Sequence, residues 1–187
     1  HRPLILETNN AEAKVQSMNA IQFIQSSLFE VFRSLLAESA PLETDELLYR
    51  PAPGANSIAF LVWHFPRIAD NAFNRSVNGS TPVWERDKWY EKFEMEITAS
   101  GTGFTHDQVA AFNPNRELLT GYLESVQKSL HDGLSNMAPE DLDRPMDPEN
   151  PRATVGRQIQ SIIVGHGFFH LGEVRFLKGL QGRPFPR

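Results

Sequence analysis

Val164-Gly165-His166-Gly167-Phe168-Phe169-His170-Leu171-Gly172-Glu173 places two histidines four residues apart in a helical pattern. That spacing sets both imidazoles on one helix face, one turn from each other. The same side is otherwise apolar, with Ile159, Ile162, Ile163, Phe169, Val174, Leu177 and Leu180. Imidazoles there are either paired core residues or metal ligands, and the stretch by itself leaves both open. Glu173 follows His170 by about one turn, where it either orients a ligand histidine or pairs with an arginine such as Arg67. Gly165 and Gly167 each cost a helix about 1 kcal/mol relative to alanine. They leave room either for a ligand or for close approach of another helix.

Outward from this stretch the chain reads as helices joined by loops. Thr154 caps the last helix, which stops at Gly182-Arg183-Pro184. From about Met18 to Glu38, Ile21, Ile24, Leu28, Val31, Phe32 and Leu35 recur at helical spacing and predict a first helix, after a leader or arm over residues 1–15. Leu47 to Gly54 is a proline-rich connection. Asn56 or Ser57 caps a second helix with the apolar face Ile58, Leu61, Phe65, Ile68, Ala72 and Phe73, ending near Asn78-Gly79. Pro66 within it removes a backbone hydrogen bond and predicts a kink around His64.

Residues 79–113 form an unusually long connection carrying Trp84, Trp89, Tyr90 and Phe93, then Gly101 and Gly103. Its aromatics predict packing, with a short helix over Trp84 to Phe93; a lid or substrate wall is the lesser alternative. Asn113-Pro114 starts a third long helix with the stripe Leu118/Leu119, Tyr122/Leu123, Val126, Leu130, Leu134 and Met137. Pro139 to Arg152 is an acidic, proline-rich loop. No strand is predicted. The fold class is therefore an all-α four-helix bundle. Short links make neighbouring helices antiparallel and the long one permits a parallel pair, which predicts up-down-down-up with an aromatic crossover between helices two and three.

That topology locates a partner for the two histidines. His64 lies roughly 12 Å along the second helix, at about 1.5 Å per residue. His166 and His170 lie roughly 15–21 Å before the end of the fourth helix, so an antiparallel pairing brings the three to similar levels. Neutral imidazoles suit a divalent transition metal such as Zn, Ni or Fe. Three protein ligands also leave positions open, as catalytic sites do. Arg67 and Asn71, one and two turns after His64, either form an ordinary polar helix face or line the pocket mouth and hold an anionic substrate; Trp89 is a further pocket candidate. No catalytic base stands out beyond Glu173. His106 and His131 read as solvated, and His1 is set aside.

Composition narrows the function. The chain has 187 residues, the size of a single domain, and its net charge of -5 argues against a nucleic-acid surface. With no cysteine it has neither disulfide nor thiol nucleophile, which fits a cytoplasmic protein. No apolar run is long enough to span a membrane.

Three stretches carry a family resemblance: Ser57-Ile58-Ala59-Phe60-Leu61-Val62-Trp63-His64-Phe65-Pro66-Arg67, Trp84 to Phe93, and His166 to Glu173. In order and nearly over the whole chain, they resemble the DinB/YfiT-like superfamily. The resemblance implies a four-helix bundle with one metal-binding histidine on the second helix and two on the fourth, matching His64, His166 and His170. Pro66 departs from the family pattern. Members include S-transferases that use mycothiol or bacillithiol and a mycothiol-dependent maleylpyruvate isomerase. The resemblance therefore implies a metal-dependent S-transferase that joins a low-molecular-weight thiol to a small electrophile. Alternatives are a non-catalytic metal-binding bundle of the stress-response or ligand-binding kind, and a metal-dependent hydrolase. The expected partner is a small molecule, with a homodimer through helix faces as a further expectation.

Overall fold

In a computed structural model, residues 17–183 are described and are helical, with no strand beyond an isolated bridge between Pro145 and Thr154. The expected leader at 1–15 lies outside them. Helix α1 spans Ala20–Ser39, capped by a reciprocal Asn19/Gln22 box. A five-residue helix α2, Thr44–Leu48, follows and overlaps the first two residues of the connection expected at Leu47 to Gly54. Ser57 Oγ accepts the Phe60 N–H and starts α3, Ile58–Asp70, which passes into π-helical turns over Asn71–Val77. The expected kink around His64 is not where the geometry changes. The helix runs unbroken through Pro66, and its first departure from α form begins at Asn71.

The crossover holds three short helices rather than one: α4 (Val83–Arg86), α5 (Trp89–Lys92) and α6 (His106–Ala111). Helix α6 has a Thr105/Gln108 capping box, a signal present in the sequence. Helix α7 spans Arg116–Ser135, with a 3-10 turn at Pro139–Asp143 in the loop beyond. The last helical run comprises α8 (Val155–Gln158), π turns over Ile159–Gly165 and α9 (His166–Leu180).

Cross-helix bonds give the relative directions. Gln25 near the start of α1 donates to Ser135 at the end of α7 (2.9 Å), so these two run oppositely. Asp70 and Asn74 on the α3 run meet Tyr122 and Ser129 on α7, in the same sense. Glu38 at the end of α1 meets Arg175 and Lys178 toward the end of α9, again in the same sense.

The buried face of the last helical run is narrower than its apolar stripe. Ile159, Ile163, Val174 and Leu177 are buried as expected, but Ile162, Phe169 and Leu180 are exposed. At about 100° per residue these three lie roughly 60–80° to one side of the Ile159–Leu177 direction, at the edge of the stripe. Gly167 serves close helix approach: a Cβ there would lie 2.8 Å from Phe65 and 2.9 Å from Val31.

Helix α3 is the centre of the packing. Ile58 to Phe65 are buried except for His64, and the next turns bury Arg67 and Asp70 as well. It is enclosed on every side but the one carrying His64 and Ile68, because the crossover covers most of what an amphipathic helix would leave wet. Trp84 seals this contact, with its ring centroid 5.9 Å from Trp63 and 5.3 Å from Tyr122. Large buried aromatics are worth about 1.5–3 kcal/mol each, which is how a connection this long stays ordered. Among the described residues, no helix is long and apolar enough to cross a membrane.

Candidate metal centre

His64 comes from the second turn of α3, and His166 and His170 from the first turns of α9, just after the π stretch. Their ring centroids are 5.4 Å (His64–His166), 5.3 Å (His64–His170) and 4.3 Å (His166–His170) apart. One nitrogen of each lies within 4.8 Å of the other two. The structure thus brings together the three histidines that the helix levels predicted to meet.

Their hydrogen bonds decide which nitrogens face inward. His64 Nδ1 lies 2.7 Å from the Ser100 carbonyl oxygen. A carbonyl only accepts, so Nδ1 carries the proton and Nε2 keeps its lone pair. His170 Nδ1 lies 2.5 Å from Glu173 Oε2, and donation to this carboxylate again frees Nε2. Glu173 thus orients a histidine rather than pairing with Arg67.

His170 Nε2 stands 2.7 Å from Nε2 of His166, whose own Nδ1 is buried without a partner. Burial, and then the neighbouring His170 and His64, push the His166 pKa down to about 4. Burial also lowers His64, against the Ser100 hydrogen bond that raises it. Both rings are therefore neutral at physiological pH. Two neutral imidazoles that present lone pairs, each oriented by an acceptor behind the ring, and a third whose Nε2 stands in hydrogen-bond contact with one of them fit a divalent transition metal.

The crossover presses directly on this site. Gly101, at φ +83, packs so tightly that a Cβ would lie 2.7 Å from His64 Nδ1, 2.9 Å from Phe60 Cζ and 2.9 Å from Trp63 Cζ3. Phe60 stacks on His64 at 5.4 Å with 8° between the rings. The histidines open into a cavity of about 470 Å³ bordered by Phe60, Ile68, Gly101 to Phe104, Val109 and Ile162. With one side bounded by solvent-accessible space, the arrangement leaves coordination positions for a small molecule.

The three expected pocket residues lie elsewhere. Arg67, 2% exposed, donates from Nε to the Ala99 carbonyl (2.8 Å) and lies over the Trp84 ring, 5.2 Å from its centroid. It cannot hold an anion at the pocket mouth because the crossover covers it. Asn71 does not border the cavity; its Oδ1 is buried without a partner. Trp89 packs on Tyr122 (5.6 Å between centroids) under the Lys92 ammonium, also away from the histidines.

Asp70 and Ser100 do not stand out in the sequence, and Gly101 stands out there only as a loop glycine. Asp70, fully buried, accepts from Asn74 Nδ2 (2.7 Å), the Val83 and Trp84 amides (2.9 Å each) and Tyr122 OH (3.2 Å). The carboxylate thereby anchors the start of α4. Arg67 holds the later part of the crossover through Ala99, next to Ser100, so this polar pair ties the loop that braces His64. The Asp70/Asn74 spacing of one helical turn was a legible pairing, but Ser100 acts through its backbone carbonyl and leaves no side-chain signal.

Comparison with known proteins agrees with this architecture. A family model described as the DinB superfamily matches residues 28–174, a span that includes all three histidines. The crystal structure of a conserved protein from Enterococcus faecalis is similar in fold, with a TM-score of 0.77 at 22% identity over 88% of this chain and 98% of that one. No curated protein matches the chain. Spanning most of the bundle and its histidine cluster, the family match is decisive: the chain belongs to the DinB superfamily.

Proposed function

We propose that the protein is a metal-dependent S-transferase, in which His64, His166 and His170 hold a divalent transition metal and a low-molecular-weight thiol is joined to a small electrophile. The observation that carries the metal assignment is the convergence of three imidazole nitrogens, two set by Ser100 and Glu173 to present Nε2. A metal bound there supplies Lewis-acid chemistry, lowering the pKa of a thiol or polarising an electrophile.

The chain's own residues supply position and exclusion. Ser100 and Gly101 fix the His64 ring, and Glu173 fixes His170. Phe60 and Phe104 shield one side of the cavity from water. The chain has no cysteine, so the sulfur comes from a cosubstrate; the thiol class is the one that the family resemblance implies. In the transfer, the sulfur forms a bond to the electrophilic carbon and the leaving group departs with its bonding pair. The thiol proton passes to water.

Elemental analysis of protein purified without a histidine tag tests the metal. About one transition metal per chain is expected, lost in His170→Ala. Conjugation of monochlorobimane in the presence of several low-molecular-weight thiols then tests the reaction. A folded preparation that takes up no metal overturns the reading, as does a metal-loaded protein that accelerates conjugation with none of the thiols.

A further inference from the structure

The walls of the histidine cavity describe a substrate different from the anion that the sequence suggests. Phe60, Ile68, Phe104, Val109 and Ile162 form its body, and Asn56, Thr102 and Ser161 provide its polar side chains apart from the histidines. Among the described residues, no lysine, arginine, aspartate or glutamate borders it. Arg67 is turned into the crossover, and Glu173 holds its carboxylate on His170. The aromatic surface is continuous with the site: Phe60 lies parallel to the His64 ring, and Phe104 packs against Phe60 with centroids 6.1 Å apart.

Away from the metal, a charged group carried against this wall loses water and gains no counter-charge from the side chains that form it. An apolar body loses nothing and covers the aromatic wall. The volume of about 470 Å³ falls in the ordinary range of small-molecule sites.

We propose that the part of the electrophile lying against this wall, away from the metal, is an uncharged, compact apolar or aromatic body with a single hydrogen-bonding group. Phe60, Phe104, Val109 and Ile162 embrace the body, and Asn56, Thr102 or Ser161 meets the polar group. The assignment rests on the transferase reading for the word electrophile, while the binding preference stands on the cavity itself.

Three probes of matched size separate the possibilities: 4-nitrobenzyl alcohol, 4-nitrobenzoate and 4-nitrobenzylammonium. Their affinities for the full chain, as purified and after chelation of metal, are measured by ligand-observed NMR. The alcohol is expected to bind at least tenfold tighter than either charged probe to the chelated protein. Phe104→Ala and Ile162→Ala should each weaken it at least threefold; Ile162 is 39% exposed, so its variant stays interpretable if the other misfolds.

Equal or tighter binding of a charged probe to the chelated protein overturns the proposal. So does alcohol binding that neither variant affects, or no binding at millimolar concentration. Metal content and conjugation rates of the same preparations report on the transferase reading separately. Metal-loaded, active protein without the neutral preference sinks only this inference. A protein that prefers the alcohol yet holds no metal sinks only the transferase.

Discussion

Replacing Gly101 with alanine should damage the bundle and the metal centre together, and Gly103 provides the matched control. Both glycines have positive φ, +83 and +76, and each substitution forces a Cβ into the left-handed region at a cost of about 1–2 kcal/mol. Only at Gly101 does the new methyl meet anything: His64 Nδ1, Phe60 Cζ and Trp63 Cζ3 all lie within 2.7–2.9 Å of it, whereas Gly103 has nothing within 4 Å. Trp63 is fully buried and Phe60 nearly so, and overpacking of such a core costs about 1–3 kcal/mol more.

Gly101→Ala should therefore lose about 2–5 kcal/mol, against about 1–2 kcal/mol for Gly103→Ala. Relief of the clash requires the His64 ring to move away from Ser100, loosening the contact that fixes its tautomer. Loss of such support typically weakens metal binding about 10–100-fold, which is the effect expected for Gly101→Ala and not for Gly103→Ala. Urea unfolding of the metal-free proteins gives the stability difference, and competition against a chromophoric chelator gives the affinity. Equal stability and equal metal affinity in the two variants would refute the argument that the crossover braces His64.

Three further outcomes follow from other contacts. Asp70→Ala removes a buried carboxylate serving four donors, and the stranded donors should cost about 3–5 kcal/mol in urea unfolding; a loss under about 1 kcal/mol contradicts the anchoring role. Glu173→Ala should weaken metal binding about 10–100-fold with little change in unfolding, and Glu173→Gln, which retains an acceptor for His170 Nδ1–H, should recover part of it. Glu38, 2% exposed, loses stabilisation by burial, but hydrogen bonds from Lys178 and Arg175 outweigh this and hold its pKa below the ordinary 4.5. Its contribution is thus full above about pH 4.5 and is lost as the pH falls through the lowered folded value. Glu38→Gln should flatten that part of the acid-stability curve, and an unchanged curve speaks against the pairing.

The residues that stand out in the sequence are those whose role follows from local periodicity. The long helices, their caps at Ser57 and Thr154, and the shared face of His166 and His170 depend on neighbours within a turn or two. Helix levels then sufficed to bring in His64. The same local reasoning overreached at Ile162, Phe169 and Leu180, because it counted the edge of the apolar stripe as part of the face turned to the core.

By itself, then, the sequence determined an all-helical chain and which histidines could meet, since both follow from helical repeat and length. The tertiary structure decided what surrounds them. Folding the crossover over α3 buried Arg67, expected at the pocket mouth, together with Asp70, made both into ties for the loop, and placed the Ser100 carbonyl on His64. That closure also left the cavity without a charged wall. These contacts join residues some 13 to 36 positions apart in the chain, through backbone atoms as much as side chains. Helical periodicity reaches only a few residues, so it could supply the three ligands but not their support or their pocket.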